Sequence, residues 1–272
     1  MIVAVVGLGQ IGGSLAAALT RRKLARVVGV TRRAETAKRA LRMGIVDEAG
    51  TDPAAVTAAD VVVLATPVRT LLRQIPAVAP LVRPDAILTD VGSTKRDILE
   101  AFRRAKPRAA VVAGHPMAGN ERAGLDGTDP DLFRNRPWVL IPARPSDRKA
   151  ARILERLVRA VGAVPRRMED ARDHDLKVAR VSHIPYLLSY ALMGTPEDAI
   201  RVSGNSFRDA TRVAASDVEM VLDFLLTNGG PIRKSAGELQ ERLRRLVAAV
   251  GRGDAGALRK LMARARARRL RI

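Results

Sequence analysis

The chain has 272 residues, of which 47% are hydrophobic and 3% aromatic, so it can form one or two globular domains and is too apolar for a disordered protein. The net charge is +20 at pH 7, but basic residues are spread along the chain and aromatic residues for base stacking are scarce, which favours a surface that attracts small anions over one that binds nucleic acid. The sequence contains no cysteine, which excludes disulfides and thiolate metal sites and fits a cytoplasmic protein.

The first part of the chain alternates short apolar strands with amphipathic helices. Strands are predicted at residues 2–6, 25–30, 59–66, 86–90, 109–113, 138–141 and 164–168, the last at a sheet edge. Helices are predicted at residues 12–22, 34–43, 70–82, 95–105 and 148–161. This alternation predicts βαβ units and a Rossmann-type, doubly wound, mostly parallel sheet.

From about residue 169 onward the pattern contains only helices, predicted at residues 173–193, 200–203, 216–227, 232–250 and 255–270. Strands followed by helices indicate two domains, 1–168 and 169–272. The long apolar stripes of the second domain favour burial against a second copy, so we expect an all-α domain that forms a homodimer. No segment reaches the about 18 apolar residues that a membrane span needs, and no membrane partner is expected.

A GxGxxG turn follows the first strand and opens the first helix, which is the context that a dinucleotide-binding motif requires. Its residues are Gly7, Leu8, Gly9, Gln10, Ile11 and Gly12. Gly7 would permit the tight turn, Gly9 the approach of a pyrophosphate, and Gly12 the close packing of helix on strand. We therefore predict that these six residues bind a dinucleotide at the N-terminus of the helix.

The second strand ends at Thr31, Arg32 and Arg33, where NAD-binding chains usually carry an acidic residue for the ribose 2′-hydroxyl. A guanidinium group can pair with a 2′-phosphate, which a carboxylate would repel. The sequence thus predicts NADP in preference to NAD, with all three residues in the cofactor site.

Further polar residues follow the later strands, whose carboxyl ends line the ligand crevice of a doubly wound sheet. Thr66 and Pro67 are expected beside the cofactor, and Ser93 and Lys95 are expected to point into the same crevice. Ser93 could alternatively be an ordinary helix N-cap. His115 is predicted to lie in a loop of small residues after a strand, which suggests a catalytic proton acceptor beside a cofactor.

Five motifs in this order resemble the prephenate and arogenate dehydrogenases of tyrosine biosynthesis. They are GLGQIGGSLA at the start, DVGSTK at 90–95, GHPMAGNE at 114–121, SHIP at 182–185 and FRDATRVA at 207–214. The resemblance covers residues 1 to about 215 and implies oxidative decarboxylation of a cyclohexadienyl substrate, with hydride transfer to the nicotinamide. By the same resemblance, the remaining helices would form a dimerisation region.

The resemblance also implies roles for individual residues. His115 would accept the proton of the ring hydroxyl, Ser93 would orient that hydroxyl, and Arg212 would grip a substrate carboxylate. Other substrate-binding residues would lie around the pocket: Asn120, Glu121, Ser182, His183 and Tyr186. His174 would support the site, although a buried structural histidine is the favoured reading of its position.

Tyr186 stands where many prephenate-type members have a second histidine after the SH pair. Loss of that cation, together with the two arginines after the second strand, favours arogenate, or both substrates. The three scattered histidines show no ligand spacing, so no metal site is predicted.

Two other functions fit part of the pattern. A Rossmann reductase for imines or 3-hydroxy acids would need a lysine of the second domain as proton donor, where Lys177 and Lys234 are the main lysines available. A non-enzymatic NADP sensor that binds nucleic acid would use the charge of +20, but it would leave His115, Ser93 and Arg212 without a role.

Overall fold

The computed structural model describes residues 1–120 and 122–271, and within these residues eight strands form one sheet. The strands are β1 (Ile2–Val6), β2 (Arg26–Val30), β3 (Glu48–Gly50), β4 (Val61–Leu64), β5 (Ile87–Asp90), β6 (Ala110–Pro116), β7 (Pro137–Pro142) and β8 (Val164–Arg167). Central strands such as β4 and β5 are buried along their whole length, which explains why all of their residues except Asp90 are apolar or β-branched.

The sheet has the order β3-β2-β1-β4-β5-β6-β7-β8, and only the β6–β7 pair is antiparallel. The chain runs outward from β1 to β3 and then crosses back to β4, so the winding direction reverses between β1 and β4. In doubly wound sheets, ligands bind outside the carboxyl ends of the strands at this reversal. The predicted fold class, a doubly wound and mostly parallel sheet followed by helices, is confirmed.

Helices cover both faces of the sheet. They are α1 (Gln10–Arg21), α2 (Ala34–Arg42), α3 (Val68–Val78), α4 (Arg96–Ala105) and α5 (Arg148–Ala160). One apolar layer packs α1, α2 and α5 against alternate side chains of the strands, and a second layer packs α3 and α4 against the other face. This alternation is visible in β1, where Val3 and Val5 belong to one layer and Ala4 and Val6 to the other.

The helical part begins after β8. Its helices are α6 (Ala171–Val178), α7 (Ile184–Leu192), α8 (Glu197–Ile200), α9 (Asn205–Thr211), α10 (Val218–Thr227), α11 (Gly229–Gly251) and α12 (Ala255–Arg269), and a π-helical turn, Ala179–His183, joins α6 to α7. Its internal core is small and centres on Ala179, Ile184 and Ile232. None of the described helices is long and apolar enough to cross a membrane.

Four local features differ from the sequence-based predictions. β3 and α9 were not predicted, and the helix placed at 200–203 is α8, which ends at Ile200. β6 continues three residues beyond the predicted end at 113, so His115 lies on a strand and not in a loop. The backbone partner of His115 in the antiparallel β6–β7 pair is Val139.

Candidate active site

A cleft of about 810 Å³ opens between the carboxyl ends of the strands and the helical part. Twelve of the predicted site residues line it: Gly9, Gln10, Ile11, Thr66, Pro67, Ser93, His115, Asn120, Ser182, His183, Tyr186 and Arg212. A separate surface groove of about 840 Å³, around Met1, Lys23 and Asp47, contains none of the predicted residues. These twelve residues thus converge on one cleft.

The remaining predicted residues do not line this cleft. They are Gly7, Leu8 and Gly12 of the glycine-rich turn, and Thr31, Arg32 and Arg33 after β2. Glu121 lies outside the residues that the structure describes.

The glycine-rich turn has the backbone that its sequence predicts. Gly7 has φ +101°, and a Cβ on Gly12 would lie 1.9 Å from the Gly7 carbonyl oxygen, so neither position accepts a larger residue without rearrangement. A Cβ on Gly9 would meet nothing within 4 Å. The first backbone bond of α1 runs from Gly13 N–H to the Gly9 carbonyl, which leaves the preceding amides available to an anion. This open face of the turn fits a dinucleotide pyrophosphate.

The side chains of Leu8 and Gln10 in the same turn contact other parts of the protein. Leu8 is buried in the core beside Gly29. The amide group of Gln10 holds the segment after β6: its Nε2 donates to the Asn120 carbonyl at 2.9 Å and its Oε1 accepts from Asn120 N–H at 3.2 Å. Asn120 in turn donates from Nδ2 to the Gly127 carbonyl. Gln10 therefore ties the glycine-rich turn to the segment that follows His115.

The polar residues after β2 have different environments. Thr31 is buried, and its hydroxyl donates to the Arg33 carbonyl at 2.9 Å. Arg32 and Arg33 are exposed and form no ion pair with any described residue. Two guanidinium groups at the end of β2 thus remain available to an anionic ligand.

His115 belongs to a chain of three hydrogen-bonded side chains. Its Nδ1 lies 3.0 Å from Nε2 of His174, and Nδ1 of His174 lies 2.8 Å from Oδ1 of Asp175. A carboxylate oxygen accepts, so His174 carries its proton on Nδ1 and accepts on Nε2. The Nδ1–H of His115 then donates to His174. This arrangement leaves Nε2 of His115 unprotonated, with no hydrogen-bond partner among the described residues, on a ring that lines the cleft.

All three histidines are held in the neutral form. Burial, reinforced by His174 and Lys95, lowers the pKa of His115 well below 6.5. Burial also lowers the pKa of His174, although its bond to Asp175 acts in the opposite direction. For His183, burial lowers the pKa to about 4. At neutral pH the Nε2 of His115 is therefore a free base.

Lys95 does not point into the crevice, contrary to prediction. Its side chain is fully buried, and its ammonium group donates to Asp90 Oδ2 and, at 2.6 Å, to the Gly114 carbonyl. Asp90 also accepts from the backbone N–H groups of Gly92 and Gly114. This buried pair supports the end of β6 directly before His115. Burial lowers the pKa of Lys95 and raises that of Asp90.

Ser93 is not the N-cap of α4, because the cap is supplied from the helical part. Asp175 accepts from the backbone N–H groups of Lys95 at 2.7 Å and Arg96 at 3.0 Å. In the same way, Asp223 of α10 accepts from the first two N–H groups of α3. Helix N-termini favour carboxylates, so both contacts fix the helical part against the sheet and define the cleft. The half-buried Ser93 lines this cleft.

The opposite wall of the cleft is built on His183 and its neighbours. The imidazole of His183 stacks on Phe224, with ring centroids 4.5 Å apart, and Tyr186 packs edge-on against the same ring. Nδ2 of Asn228 lies 3.0 Å from Nδ1 of His183. Arg212, at the end of α9, is exposed at the rim, where a substrate carboxylate could reach it.

Sequence reasoning missed Asp90, Asp175, Asp223 and Asn228. Asp90 opens the DVGSTK motif, but its bond to Lys95 was not foreseen, and the contacts of Asp223 and Asn228 join residues far apart in sequence. The adjacency of His174 and Asp175 was the one available signal, because a carboxylate commonly orients a histidine. Taken without tertiary contacts, that pair also fits a structural role.

Two family models match consecutive parts of the chain. The prephenate dehydrogenase nucleotide-binding domain matches residues 15–166, and the prephenate dehydrogenase dimerization domain matches residues 170–264. A prephenate dehydrogenase of Bacillus subtilis is 31% identical over 237 residues, which is 83% of this chain and 64% of that protein. The chain thus spans slightly less than two thirds of that relative's length.

Solved structures agree over the full length. The structure of Synechocystis arogenate dehydrogenase is 31% identical with a TM-score of 0.87, and covers 100% of this chain and 99% of its own. Prephenate dehydrogenase from Aquifex aeolicus, in complex with hydroxyphenyl propionate and NAD+, is 29% identical with a TM-score of 0.91, and covers 100% of this chain and 98% of its own. Together with the family-model matches, these likenesses show that the chain belongs to the prephenate dehydrogenase family.

Proposed function

We propose that this protein catalyses the oxidative decarboxylation of a cyclohexadienyl substrate, arogenate or prephenate, with hydride transfer to a nicotinamide cofactor. The observation that carries the proposal is the neutral His115, whose free Nε2 lines a cleft that begins at the glycine-rich turn. A base in this position, beside a site for a dinucleotide, suits the removal of a hydroxyl proton as hydride leaves the same carbon.

The reaction balances without a further reactant. A nicotinamide cofactor, when bound, would supply the acceptor for the hydride. His115 accepts the ring hydroxyl proton at Nε2, the ring carboxylate leaves as carbon dioxide, and the electron pair of the broken carbon–carbon bond completes the aromatic ring. The proton then returns from His115 to the ring oxygen, which becomes the phenol hydroxyl. The products are tyrosine from arogenate or 4-hydroxyphenylpyruvate from prephenate.

Other residues of the cleft would bind and orient the substrate. Ser93 would hydrogen-bond the ring hydroxyl beside His115, and Arg212 would pair with a substrate carboxylate at the rim. Ser182, His183 and Tyr186 would form the wall opposite, while Asn120 would act through its bonds to Gln10 and Gly127. Glu121, outside the described residues, keeps its sequence-based assignment to this pocket.

For the cofactor we propose NADP in preference to NAD. The support is electrostatic: Arg32 and Arg33 are exposed and have no ion-pair partner among described residues, so a 2′-phosphate could bind them without displacing a carboxylate. Thr31 donates its hydroxyl hydrogen to the Arg33 carbonyl and its backbone N–H to the Gly50 carbonyl, so it would contribute the hydroxyl oxygen as an acceptor.

For the substrate we propose arogenate, or both arogenate and prephenate. Tyr186 supplies a phenol where many prephenate-type members carry a histidine, and its hydroxyl lies 3.5 Å from the Ser216 hydroxyl. The cleft wall at this point therefore lacks one cation that would repel the side-chain ammonium group of arogenate, the group that replaces the ketone of prephenate.

We propose that the two predicted units, 1–168 and 169–272, assemble as a homodimer through the helical unit. Apolar side chains on its helices are exposed: Leu188, Leu226, Leu243, Val247, Val250 and Met262. A second copy would bury such a surface.

The reductase alternative has less support, because no lysine lines the cleft among the described residues and Lys177 pairs with Asp173.

The test is an assay of both substrates with each cofactor, following cofactor reduction and carbon dioxide release together. We expect reduced cofactor and carbon dioxide to form in equimolar amounts, and the KM for NADP to be lower than the KM for NAD. Reduction of the cofactor without carbon dioxide release would overturn the proposed reaction. Activity on prephenate alone would refute only the substrate preference, and a lower KM for NAD only the cofactor preference.

A further inference from the structure

Asn228, directly after α10, is buried between His183 and the hydrogen-bonded chain of His115, His174 and Asp175. Its Nδ2 atom lies 2.9 Å from the Asp175 carbonyl oxygen and 3.0 Å from Nδ1 of His183. A carbonyl oxygen can only accept, so the atom that faces it must be the amide nitrogen. This contact fixes the orientation of the Asn228 side chain and leaves its second amide hydrogen for His183.

The bond from Asn228 determines which nitrogen of His183 carries the proton. Nδ1 receives a hydrogen from Asn228 and must be unprotonated, so the proton of the neutral ring lies on Nε2. That Nε2 has no partner among the described residues, and the ring lines the cleft. Stacking on Phe224, with an interplanar angle of 16°, holds the plane of the ring.

We propose that Asn228 is a positioning residue that holds His183 in the Nε2–H form, so that His183 donates a hydrogen bond to an oxygen of the substrate. This proposal rests on the proposed function for its substrate. It does not concern His115, which has the opposite tautomer.

The two histidines then have complementary tasks in one cleft. His115 presents a lone pair and can take up a proton, whereas His183 presents an N–H group and can bind an oxygen that carries negative charge. Asn228 also links the two sides, because its other hydrogen goes to Asp175, the residue that orients His174. The residues that orient the donor His183 and the acceptor His115 are therefore both hydrogen-bonded to Asp175.

Asparagine suits this position better than an acidic residue. Burial keeps His183 neutral, with a pKa of about 4, while Asp175 raises that pKa and His174 lowers it. An aspartate at 228 would accept from Nδ1 and so reverse the tautomer or charge the ring. With asparagine at this position, Nε2 of His183 carries the proton and can donate, and no charged imidazolium is buried.

The first test needs no variant. The chain has three histidines, so long-range proton–nitrogen NMR of protein labelled with 15N in its histidine rings reads all of them. Above pH 7 we expect His183 with a proton-bearing Nε2 and a lone-pair Nδ1, and His115 and His174 with protons on Nδ1. Single His→Gln variants assign the signals. A proton on Nδ1 of His183 would overturn the proposal, whatever the activity of the enzyme.

The second test is Asn228→Asp, which keeps the shape of the side chain. We expect the His183 signals to change to the Nδ1–H or the charged form, and kcat/KM to fall by about 10- to 100-fold, as for the loss of a hydrogen bond to a charged group. Asn205→Asp adds the same charge at the exposed start of α9, outside the cleft, and serves as the matched control. Unchanged His183 signals in folded Asn228→Asp would refute the role of Asn228.

A third test separates the nitrogen atoms of His183. The amide nitrogen of glutamine can occupy the place of Nε2, whereas asparagine reaches only the place of Nδ1. We expect His183→Gln to retain several-fold more kcat/KM than His183→Asn, with His115 signals unchanged in both. Equal activities would refute donation from Nε2. If His115→Asn were fully active, the proposed function would be refuted. The NMR measurement would still test the tautomer of His183 independently.

Discussion

Nδ1 of His115 lies 3.0 Å from Nε2 of His174, and this contact decides the chemistry that His115 can perform. Because His174 is bound to Asp175 through its own Nδ1, it can only accept from His115. His115 is thereby oriented and left with a basic Nε2. The pair joins the last residues of β6 to α6, so the base is assembled from the sheet and the helical part together.

Replacement of the base tests the core of the mechanism. In His115→Asn, the amide nitrogen can still donate to His174, but no basic nitrogen faces the cleft. We expect kcat to fall by about 10²–10⁴-fold, as for other general bases, with KM changed only slightly. Steady-state kinetics with saturating cofactor measure both constants. Turnover near that of the wild type would remove His115 from the mechanism.

The pH dependence of kcat/KM follows from the lowered pKa of His115. A lowered pKa keeps the ring neutral to more acidic pH, and protonation abolishes the base. We therefore expect kcat/KM to stay constant as the pH falls through 6.5, and to decline only well below it. The residual activity of His115→Asn should lack this decline. A wild-type acid limb centred at or above 6.5 would contradict the buried, neutral base.

Asp175→Asn tests the orientation of the two histidines. The change removes the acceptor that fixes His174, and it places an amide opposite the N–H group of Lys95 or Arg96. We expect kcat to fall by up to about 10⁴-fold, as when the carboxylate of a catalytic triad is neutralised. Loss of the helix cap should also lower the free energy of unfolding by about 1–2 kcal/mol.

Asp223→Asn is the matched control for that variant. Asp223 caps α3 as Asp175 caps α4, but it contacts no histidine. We expect a similar loss of unfolding free energy and a much smaller loss of kcat. Equal losses of kcat in the two variants would mean that Asp175 acts only by docking the helical part.

The elements and the glycine-rich turn could be predicted because their signals are local. Apolar runs such as Val61–Leu64 and the spacing of Gly7, Gly9 and Gly12 depend only on neighbouring residues. β3 escaped prediction because Glu48–Gly50 has three residues and no apolar alternation. It forms only because β2 provides a parallel partner.

The inner part of the site could not be predicted for a related reason. His115 stood out through its small neighbours, but its orientation depends on His174, 59 residues away. Lys95 looked like a crevice residue because it follows a strand. Its burial is decided by Asp90 and by the Gly114 carbonyl, which sequence spacing alone does not bring together.

Arg32 and Arg33 should determine cofactor preference. Replacing either with alanine removes a guanidinium group that can pair with a 2′-phosphate, so we expect KM for NADP to rise by about 10-fold or more per arginine, while KM for NAD changes little. Arg252→Ala, which removes an exposed arginine between α11 and α12, controls for the loss of general positive charge. Equal increases of KM for both cofactors would contradict recognition of a 2′-phosphate.

Breaking the buried pair of Lys95 and Asp90 should destabilise the protein more than breaking any surface ion pair of the described residues. In Lys95→Met, Asp90 keeps its bonds to Gly92 and Gly114 but loses its counterion, and such a loss destabilises a protein by about 3–5 kcal/mol. Restoring neutrality with Asp90→Asn in the same chain should recover part of that loss. Urea unfolding of the wild type, both single variants and the double variant gives the coupling energy. Additive losses would show that the two side chains do not stabilise each other.

Because the positive charge of Lys95 also helps to lower the pKa of His115, the acid limb of kcat/KM should move to higher pH in Lys95→Met.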